Sequence, residues 1–256
     1  MNIVVLVKHV PDSAGDRRFT DDGLLDRELC DSRLSELDEY AVEQALLLAA
    51  QHPGAQVTHL TMGPENAADA LRKALAMGGD RGIHVSDECL AGADYLTTSL
   101  VLAKAVQALG YDLVVCGMAS TDGAGSVIPA MLAERLGVAH MTLAAQLAAD
   151  DALLTIRRDS DRGSEELSTA LPTVVSVTDR SGEPRYPTFK GILAAKKKPV
   201  LSWDLSDLGL DDAHPGLVPA TRVLATVPRP ARQRGTVVTD EGQGAAQLAD
   251  FLAAHK

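Results

Sequence analysis

The feature that most constrains the fold of this chain is an alternation of short apolar runs with helical patterns, which continues to about residue 140. The first run is Ile3 to Lys8, and the next predicted strand, Val57 to Met62, follows after one helical pattern. Continuous apolar runs of this kind are typical of strands that are buried on both faces. Because the loops between most elements are short, the order strand, helix, strand predicts an α/β fold with helices on both faces of a parallel sheet.

The same alternation places further elements in the first part of the chain. Asp94 is predicted to cap a helix, and Pro129 is acceptable in the first turn of another. The predicted helices are 37–51, 65–78, 96–109 and 128–137, and the further predicted strands are 82–85 and 112–116.

After about residue 140 the pattern changes. Two strands are predicted, Leu153 to Arg158 and Leu171 to Val177, and the charged stretch 159–167 between them indicates a β-hairpin-like extension. From about residue 199 onward, several prolines leave little room for long elements, although a final helix is predicted at 244–255. We therefore predict a core over 1–198 and a C-terminal arm over 199–256.

The composition excludes some classes of partner. A formal net charge of −11 argues against nucleic acid, since phosphate binding needs a basic surface. The three cysteines form no C-x-x-C pair, which suits a reducing cytosol, and the excess of arginine over lysine is typical of GC-rich bacterial genomes. No signal-peptide pattern and no long apolar stretch is found. We expect a soluble, cytoplasmic, bacterial protein that is not membrane-embedded.

A glycine-rich turn follows the strand at 112–116 and leads into the next predicted helix. Such a turn points backbone N–H groups and the positive helix end at an anion, and ligands of parallel sheets lie at the carboxyl ends of the strands. The turn matches neither G-x-G-x-x-G nor the Walker pattern, so a phosphate cradle and a plain flexible turn both remain open. It comprises Gly117, Met118, Ala119, Ser120, Thr121, Asp122, Gly123, Ala124, Gly125 and Ser126.

Two other strand ends are candidates for the same crevice. One is Leu6, Val7 and Lys8, where Lys8 either faces a phosphate or is a solvated edge residue, and the other begins at Met62. Nothing in the sequence indicates catalysis, because G-x-S-x-G, H-E-x-x-H and the Cys/His spacings of metal sites are missing. We therefore predict no catalytic residue, no metal site and no enzymatic turnover.

Several segments together resemble the β subunit of electron-transfer flavoproteins, over nearly the whole chain. They are VLVKHVPD at 5–12, LDEYAVEQAL at 37–46, MGPENAADALRKALAMGGDRGIHV at 62–85, GMASTDGAGSVIPAMLAERLG at 117–137, LPTVVSVTDRSGEPRYPTFKGILAAKKK at 171–198 and the C-terminal VTDEGQGAAQLADFL.

The resemblance implies a heterodimer with a larger α subunit. It implies a carrier that takes electrons from acyl-CoA dehydrogenases, in fatty acid oxidation, and from other flavin dehydrogenases. The electrons pass to a membrane-bound quinone oxidoreductase specific for this carrier. The FAD lies mainly on the α subunit, and the β subunit of the best-known group binds a structural AMP. The implied fold is an adenine-nucleotide-binding-like sandwich with an extended C-terminal arm on the α subunit.

The resemblance also assigns site residues. Ser35 stands where the family often has Asn, and the loop is one residue shorter than the common D-G-D-T-x-Q-V-G form. Both departures bear on whether AMP is bound. The implied AMP contacts are Leu6, Val7, Lys8, Ser35, Asp38, Met62 and the loop from Gly117 to Ser126.

The implied partner-recognition segment is Arg185 to Lys196. Phe189 takes the place of an exposed apolar anchor, with Tyr186 and Lys196 in the same segment, and the alternative is that Phe189 is a buried residue at the start of a helix. Asp159 takes the place of an acidic residue that docks a mobile FAD domain.

Two other classes of protein share an α/β sheet with an anion loop. One is a stand-alone adenine-nucleotide-binding regulator of the universal-stress type, which would be shorter and lack the segments after residue 171. The other is an ATP-cleaving ligase-like enzyme, which needs an S-G-G-x-D loop after the first strand, where this chain has K-H-V-P-D.

Overall fold

The computed structural model describes residues 1–15, 18–27, 30–150, 152–211, 213–227, 230 and 234–255. The chain divides into two compact units, Met1–Leu224 and Ala225–Lys256. The strands are β1 (Asn2–Leu6), β2 (His9–Pro11), β3 (Ser32–Leu34), β4 (Gln56–Met62), β5 (Arg81–Val85), β6 (Leu113–Gly117), β7 (Ala139–Ala149), β8 (Leu153–Ser160), β9 (Gly163–Ala170), β10 (Thr173–Val177) and β11 (Val200–Trp203). The helices are α1 (Glu36–Gln51), α2 (Ala68–Met77), α3 (Tyr95–Leu109), α4 (Ile128–Leu136), α5 (Phe189–Ala195) and α6 (Gly244–Ala254).

The first unit is built around a large sheet. In the described part of the chain, this sheet has nine strands in the order β11-β5-β4-β1-β6-β10-β7-β8-β9. The strands from β11 to β7 pair in parallel, and β7, β8 and β9 pair antiparallel. The predicted α/β fold with a mainly parallel sheet is therefore confirmed. A separate antiparallel pair is formed by β2 and β3.

Helices cover both faces of the parallel part, and β1 shows why its sequence is continuously apolar. Ile3 and Val5 pack on one face, in the same cluster as residues of α1 and α2. Val4 and Leu6 pack on the other face, with residues of α3 and α4. Since every side chain of such a strand enters one of two cores, no polar alternation is possible.

The hairpin-like extension exists, but its second strand differs from the predicted one. The charged stretch that we interpreted as a connector forms most of β9, which pairs with β8 along its whole length. The predicted strand after it is β10, which lies between β6 and β7 in the parallel part. The pattern was misleading because β9 is an edge strand with mostly exposed side chains, and edge strands commonly carry charges that prevent further pairing.

Residues after 198 contribute to the first unit. β11 pairs in parallel with β5, and the side chains of Leu205, Leu208, Leu210 and Leu217 are buried in the core beside α3. The predicted arm, 199–256, therefore contributes its first part, through Leu224, to the first unit. Its packing on a partner subunit stays a prediction.

The second unit contains the predicted final helix, α6, and otherwise irregular chain. Three large apolar side chains of α6 are more than half exposed, namely Leu248, Phe251 and Leu252. Among the described residues of the whole chain, no helix combines the length and the apolar character that a membrane span requires.

Candidate functional site

A crevice of about 1450 Å³ lies at the carboxyl ends of four neighbouring strands, β5, β4, β1 and β6. This is the edge where open parallel sheets bind ligands, and the volume exceeds the usual range of small-molecule pockets. The structure brings most of the predicted ligand residues to its wall. These are Leu6, Val7, Lys8, Asp38, Met62, Gly117, Met118, Ala119, Ser120, Gly125 and Ser126.

Five predicted residues, Ser35, Thr121, Asp122, Gly123 and Ala124, do not line the crevice. Ser35 is fully buried at the start of α1, and its hydroxyl has no hydrogen-bond partner in the described residues. Its backbone N–H donates to the Lys8 carbonyl at 2.9 Å, so Ser35 fixes the backbone of the segment that follows β1.

Sequence reasoning missed part of the wall. The segment from Thr20 to Arg27, to which the sequence assigned no role, contributes residues to the crevice wall. So do Ser86 to Tyr95, which follow β5, and Thr221. The second segment was detectable, because it begins at the carboxyl end of a strand that the sequence did predict. The other two reach the crevice only through the tertiary fold.

Asp38 joins three elements at the floor of the crevice. Its Oδ2 accepts a hydrogen bond from the Lys8 backbone N–H at 2.8 Å. A Cβ atom on Gly117 would lie 2.5 Å from Asp38 Oδ1, so only glycine fits at the end of β6. Burial raises the pKa of Asp38 to about 7, although the hydrogen bond from Lys8 acts in the opposite direction. The carboxyl group is therefore partly protonated near neutral pH.

The loop after β6 is held in an unusual backbone conformation. Ala124 and Ser126 have φ values of 48° and 56°, in the left-handed region that non-glycine residues rarely adopt. The Tyr95 hydroxyl donates to the Gly123 carbonyl at 3.1 Å, and a Cβ atom on Gly125 would overlap this hydroxyl. Such conformations persist where the surroundings enforce them, and they are common at ligand sites.

Two cations at the crevice wall share one carboxylate. Lys8 Nζ lies 2.9 Å from Asp122 Oδ1, and Arg27 Nη2 lies 2.9 Å from Asp122 Oδ2. Burial acts to raise the pKa of Asp122, but the Lys8 ammonium and hydrogen bonds from Lys8, Ser120 and Arg27 hold that pKa well below its usual range. Asp122 is therefore ionised at neutral pH.

The same loop ends at the N-terminus of α4, whose first residues, Ile128 and Pro129, also line the crevice. The N-cap residue, Val127, provides no side-chain hydrogen bond to the helix. An uncapped helix N-terminus favours a negative group, because its N–H groups are free to donate and its dipole is positive there.

The crevice offers little for catalysis. Burial raises the pKa of the Cys116 thiol, at the crevice wall, far above its ordinary value, so this thiol is protonated and a poor nucleophile. In the ranges that the structure describes, no three His, Cys, Asp or Glu side chains are placed to hold a metal ion. The arrangement is suited to noncovalent binding.

The segment predicted to recognise partners lies outside this crevice. Tyr186 is 92% exposed and Phe189 is 78% exposed, so the alternative that Phe189 is buried is wrong, although it does begin α5. Arg185 donates from Nε and Nη2 to the two carboxylate oxygens of Glu43, at 2.7 and 2.9 Å. Lys196 is exposed at the end of α5.

Asp159, the predicted docking residue, lies in the β8–β9 hairpin. Its Oδ1 accepts hydrogen bonds from Arg157 Nε at 2.9 Å and from Ser164 Oγ at 2.6 Å. The hydrogen bond from Ser164 is the main reason why the pKa of Asp159 is lowered. The carboxylate is ionised and already partnered within the hairpin.

The fold and the crevice define an α/β sandwich protein with a large crevice at the carboxyl edge of its sheet. The family model of the electron transfer flavoprotein domain matches residues 23–208. The chain therefore belongs to the electron-transfer flavoprotein family, and its relatives show that it is of the β-subunit type.

Three relatives illustrate the match. The chain is 44% identical to the electron transfer flavoprotein subunit beta of Mycobacterium tuberculosis over 262 residues, which cover all of this chain and 98% of the relative. It is 36% identical to protein FixA of Azorhizobium caulinodans, over 83% of this chain and 78% of the relative. It is 32% identical to the caffeyl-CoA reductase-Etf complex subunit CarD of Acetobacterium woodii, over 93% of this chain and 92% of the relative.

Proposed function

We propose that this chain is half of an electron carrier: it pairs with an electron-transfer flavoprotein α subunit and supports, from one side, an FAD that lies mainly on that subunit. The observation that carries the proposal is the full-length similarity to β subunits. Family membership favours this function over a stand-alone regulator, since the match includes segments beyond residue 171. The flavin supplies the electron chemistry, and this chain supplies binding surfaces.

Exposed apolar surface supports a protein partner. Besides the three apolar side chains of α6, Val218 and Leu224 near the end of the first unit are 71% and 85% exposed. Clusters of exposed apolar side chains are typical of surfaces that another protein covers. We propose that the second unit packs on the α subunit.

We propose that the crevice holds an adenine nucleotide with a structural role, AMP. Its position at the sheet edge suits a nucleotide and its volume is more than large enough for one, and the 117–126 loop with the uncapped α4 suits the phosphate. Ser120 and Ser126 are polar side chains of the predicted set that would face the nucleotide, with Lys8 beside them in its ion pair with Asp122. No covalent step is required of any of them.

We propose that Phe189 anchors flavin dehydrogenases and that the carrier passes their electrons toward a membrane quinone oxidoreductase. Acyl-CoA dehydrogenases are the clients that the family resemblance implies. One relative is named as a subunit of a caffeyl-CoA reductase-Etf complex, so that protein works with a different CoA-ester enzyme. We therefore extend the proposed client class to flavoenzymes acting on CoA esters, with no substrate turnover by this chain itself.

Co-expression with the α subunit of the same organism tests the division of roles. We expect the purified pair to be yellow, with FAD absorbance, and this chain expressed alone to be colourless and prone to association. Denaturing the pair should release roughly one adenine nucleotide besides FAD, as expected for a single crevice. Stoichiometric flavin on the lone chain would refute the proposal for FAD, and a folded pair that releases FAD alone would refute the proposal for AMP.

A further inference from the structure

Asp122 has an environment that is characteristic of a bound phosphate. Its side chain is only 8% exposed. The carboxylate accepts from the Lys8 ammonium and the Arg27 guanidinium, each at 2.9 Å, and from the Gly123 backbone N–H at 2.7 Å. A hydrogen bond from the Ser120 hydroxyl completes the set. An ammonium, a guanidinium, a loop N–H and a hydroxyl are the donors that proteins use for phosphate.

Little positive charge at this wall of the crevice is left for a ligand. Both cations make their ion pairs with Asp122, and the buried Asp38 adds a further partly ionised carboxyl group that Asp122 influences electrostatically. Lys8 and Arg27 are 41% and 33% exposed, so their charges are also screened by water. A phosphate dianion that approached these cations would face the Asp122 carboxylate at close range.

We propose that Asp122 is an internal competitor for the phosphate of the nucleotide, so that the crevice recognises mainly the adenosine part of AMP. This inference rests on the proposed nucleotide site and assigns its specificity. In the family resemblance, Asp122 was only one member of the phosphate loop. The geometry points to a carboxylate behind the crevice lining that already takes the donors of Lys8 and Arg27.

The test compares AMP with adenosine, by titration calorimetry on the heterodimer after bound nucleotide has been removed by partial unfolding with charcoal and the complex has been refolded with FAD. For the native complex we expect the two dissociation constants to agree within about threefold. In the Asp122→Asn complex we expect AMP to bind at least about tenfold more tightly, which is roughly 1.4 kcal/mol, with adenosine unchanged. The variant should fold, because Lys8 and Arg27 are exposed enough to be solvated when unpaired.

Two further variants make the result specific. Asp69→Asn removes a negative charge from an exposed position that is close enough to affect His9 but does not line the crevice, so it controls for long-range electrostatics. The Asp69→Asn complex should differ from the native complex by less than about twofold in its dissociation constant for AMP. Adding Lys8→Met to Asp122→Asn should reverse the gain for AMP, since the freed ammonium is the expected phosphate partner.

The outcomes separate this inference from the proposed function. Equal AMP binding by the native and Asp122→Asn complexes would overturn the inference and leave the nucleotide site intact. Weaker AMP binding by Asp122→Asn would also overturn it, because Asp122 would then orient the cations toward the phosphate. If neither complex binds AMP or adenosine, the proposed nucleotide function fails. The adenosine specificity fails with it, and inorganic phosphate then tests only the competition by Asp122: binding by Asp122→Asn and not by the native complex would support that competition, and any other result would overturn it.

Discussion

At the scale of one residue, Asp38 lies in a different environment from the one that its position in the first turn of α1 predicts. An acid in the first turn of a helix is normally favourable, because it faces the positive helix end from solvent. Glu36 in the same turn fits that description, with its side chain 55% exposed, but Asp38 is buried under the ends of β1 and β6. Its carboxyl group links the start of α1 to the Lys8 backbone, at the cost of desolvation that raises its pKa.

The raised pKa predicts a pH dependence of stability. The pKa of Asp38 is about 7 in the folded chain and 3.8 in its ordinary environment, so the folded state binds the extra proton between these values. The contribution of protonated Asp38 to the stability of the folded chain is fully present below about pH 4 and is lost as the pH rises toward 7. Relative to Asp38→Asn, the native free energy of unfolding should fall by up to about 1.4 kcal/mol per pH unit in this window. Urea unfolding of both proteins from pH 4 to pH 8 measures it.

Glu36→Gln is the matched control, since Glu36 is an exposed acid of the same helical turn. It should not change the slope of stability against pH between 4 and 7. Asp122 does not interfere, because its lowered pKa affects stability only below its ordinary value of 3.8. A native protein whose stability runs parallel to that of Asp38→Asn across the window would show that Asp38 is ionised at the crevice floor.

At the scale of an element, the segment leading into α5 is fixed at its base and exposed at its tip. Arg185 is held by both carboxylate oxygens of Glu43, which is 9% exposed at its side chain. The Thr188 hydroxyl accepts from the Gly191 N–H at 3.0 Å and caps the helix. Phe189 then projects into solvent from a rigid position, which lowers the entropy cost of using it as an anchor.

If Phe189 is the docking anchor, Phe189→Ala should weaken binding of a flavin dehydrogenase by ~2 kcal/mol or more, since buried aromatic anchors commonly contribute that much. This corresponds to roughly 30-fold in affinity. The flavin spectrum and the melting temperature of the heterodimer should stay unchanged. Steady-state reduction by the dehydrogenase should show a raised half-saturation concentration of the carrier.

Leu153→Ala removes a 45% exposed apolar side chain from the start of the β8–β9 hairpin and is the control, with less than about a twofold effect expected. Loss of the α subunit from the Phe189→Ala complex would mean that this side chain packs in the heterodimer. Unchanged kinetics would move the docking role elsewhere, with Lys196 and its neighbouring lysines as the next candidates through electrostatic steering.

At the scale of the whole molecule, the chain combines a unit with a two-sided core and a terminal unit with no buried side chain in its helix. The end of the first unit is fastened by Asp94, whose carboxylate caps α3 and also accepts from the backbone N–H groups of Ala220 and Thr221 at 2.8 and 3.0 Å. The first unit is therefore complete only when the chain reaches this contact.

Truncation should separate the folding of the first unit from the binding of the α subunit by the second unit. A chain ending at Leu224 keeps both cores and the contact at Asp94, so we expect a melting temperature within a few degrees of the full chain. It should lose stable association with the α subunit, because the apolar side chains of α6 are gone. Circular dichroism on heating and co-purification with the tagged α subunit measure the two properties.

A chain ending at residue 198 provides the contrast. It lacks β11 and the buried leucines after it, so it should expose the edge of β5 and aggregate or unfold. If the chain ending at Leu224 still binds the α subunit with full affinity, the second unit is not the main contact. If it fails to fold, the second unit contributes to the core of this chain.

The sequence by itself determined the elements whose signals are local. The strands β1 and β6 were predictable because burial on both faces imposes continuous apolar runs, and β4 was predictable from its place in the alternation of strands and helices. The capping of α3 by Asp94 was also predictable, and the structure confirms it with a hydrogen bond from the Thr97 N–H at 3.0 Å. The glycine loop was visible because a strand-to-helix turn requires small residues over a short stretch.

Only the tertiary structure decided which distant residues meet. β9 lacks apolar alternation because it lies at the edge of the sheet, and this edge position cannot be predicted from the residues of β9 alone. Asp122 and Lys8 are separated by 114 positions, yet their ion pair sets the charge of the crevice. Secondary-structure patterns reflect interactions over a few residues, whereas the desolvation of Asp38 and the pairing of Asp122 depend on groups that the fold brings together from the whole chain.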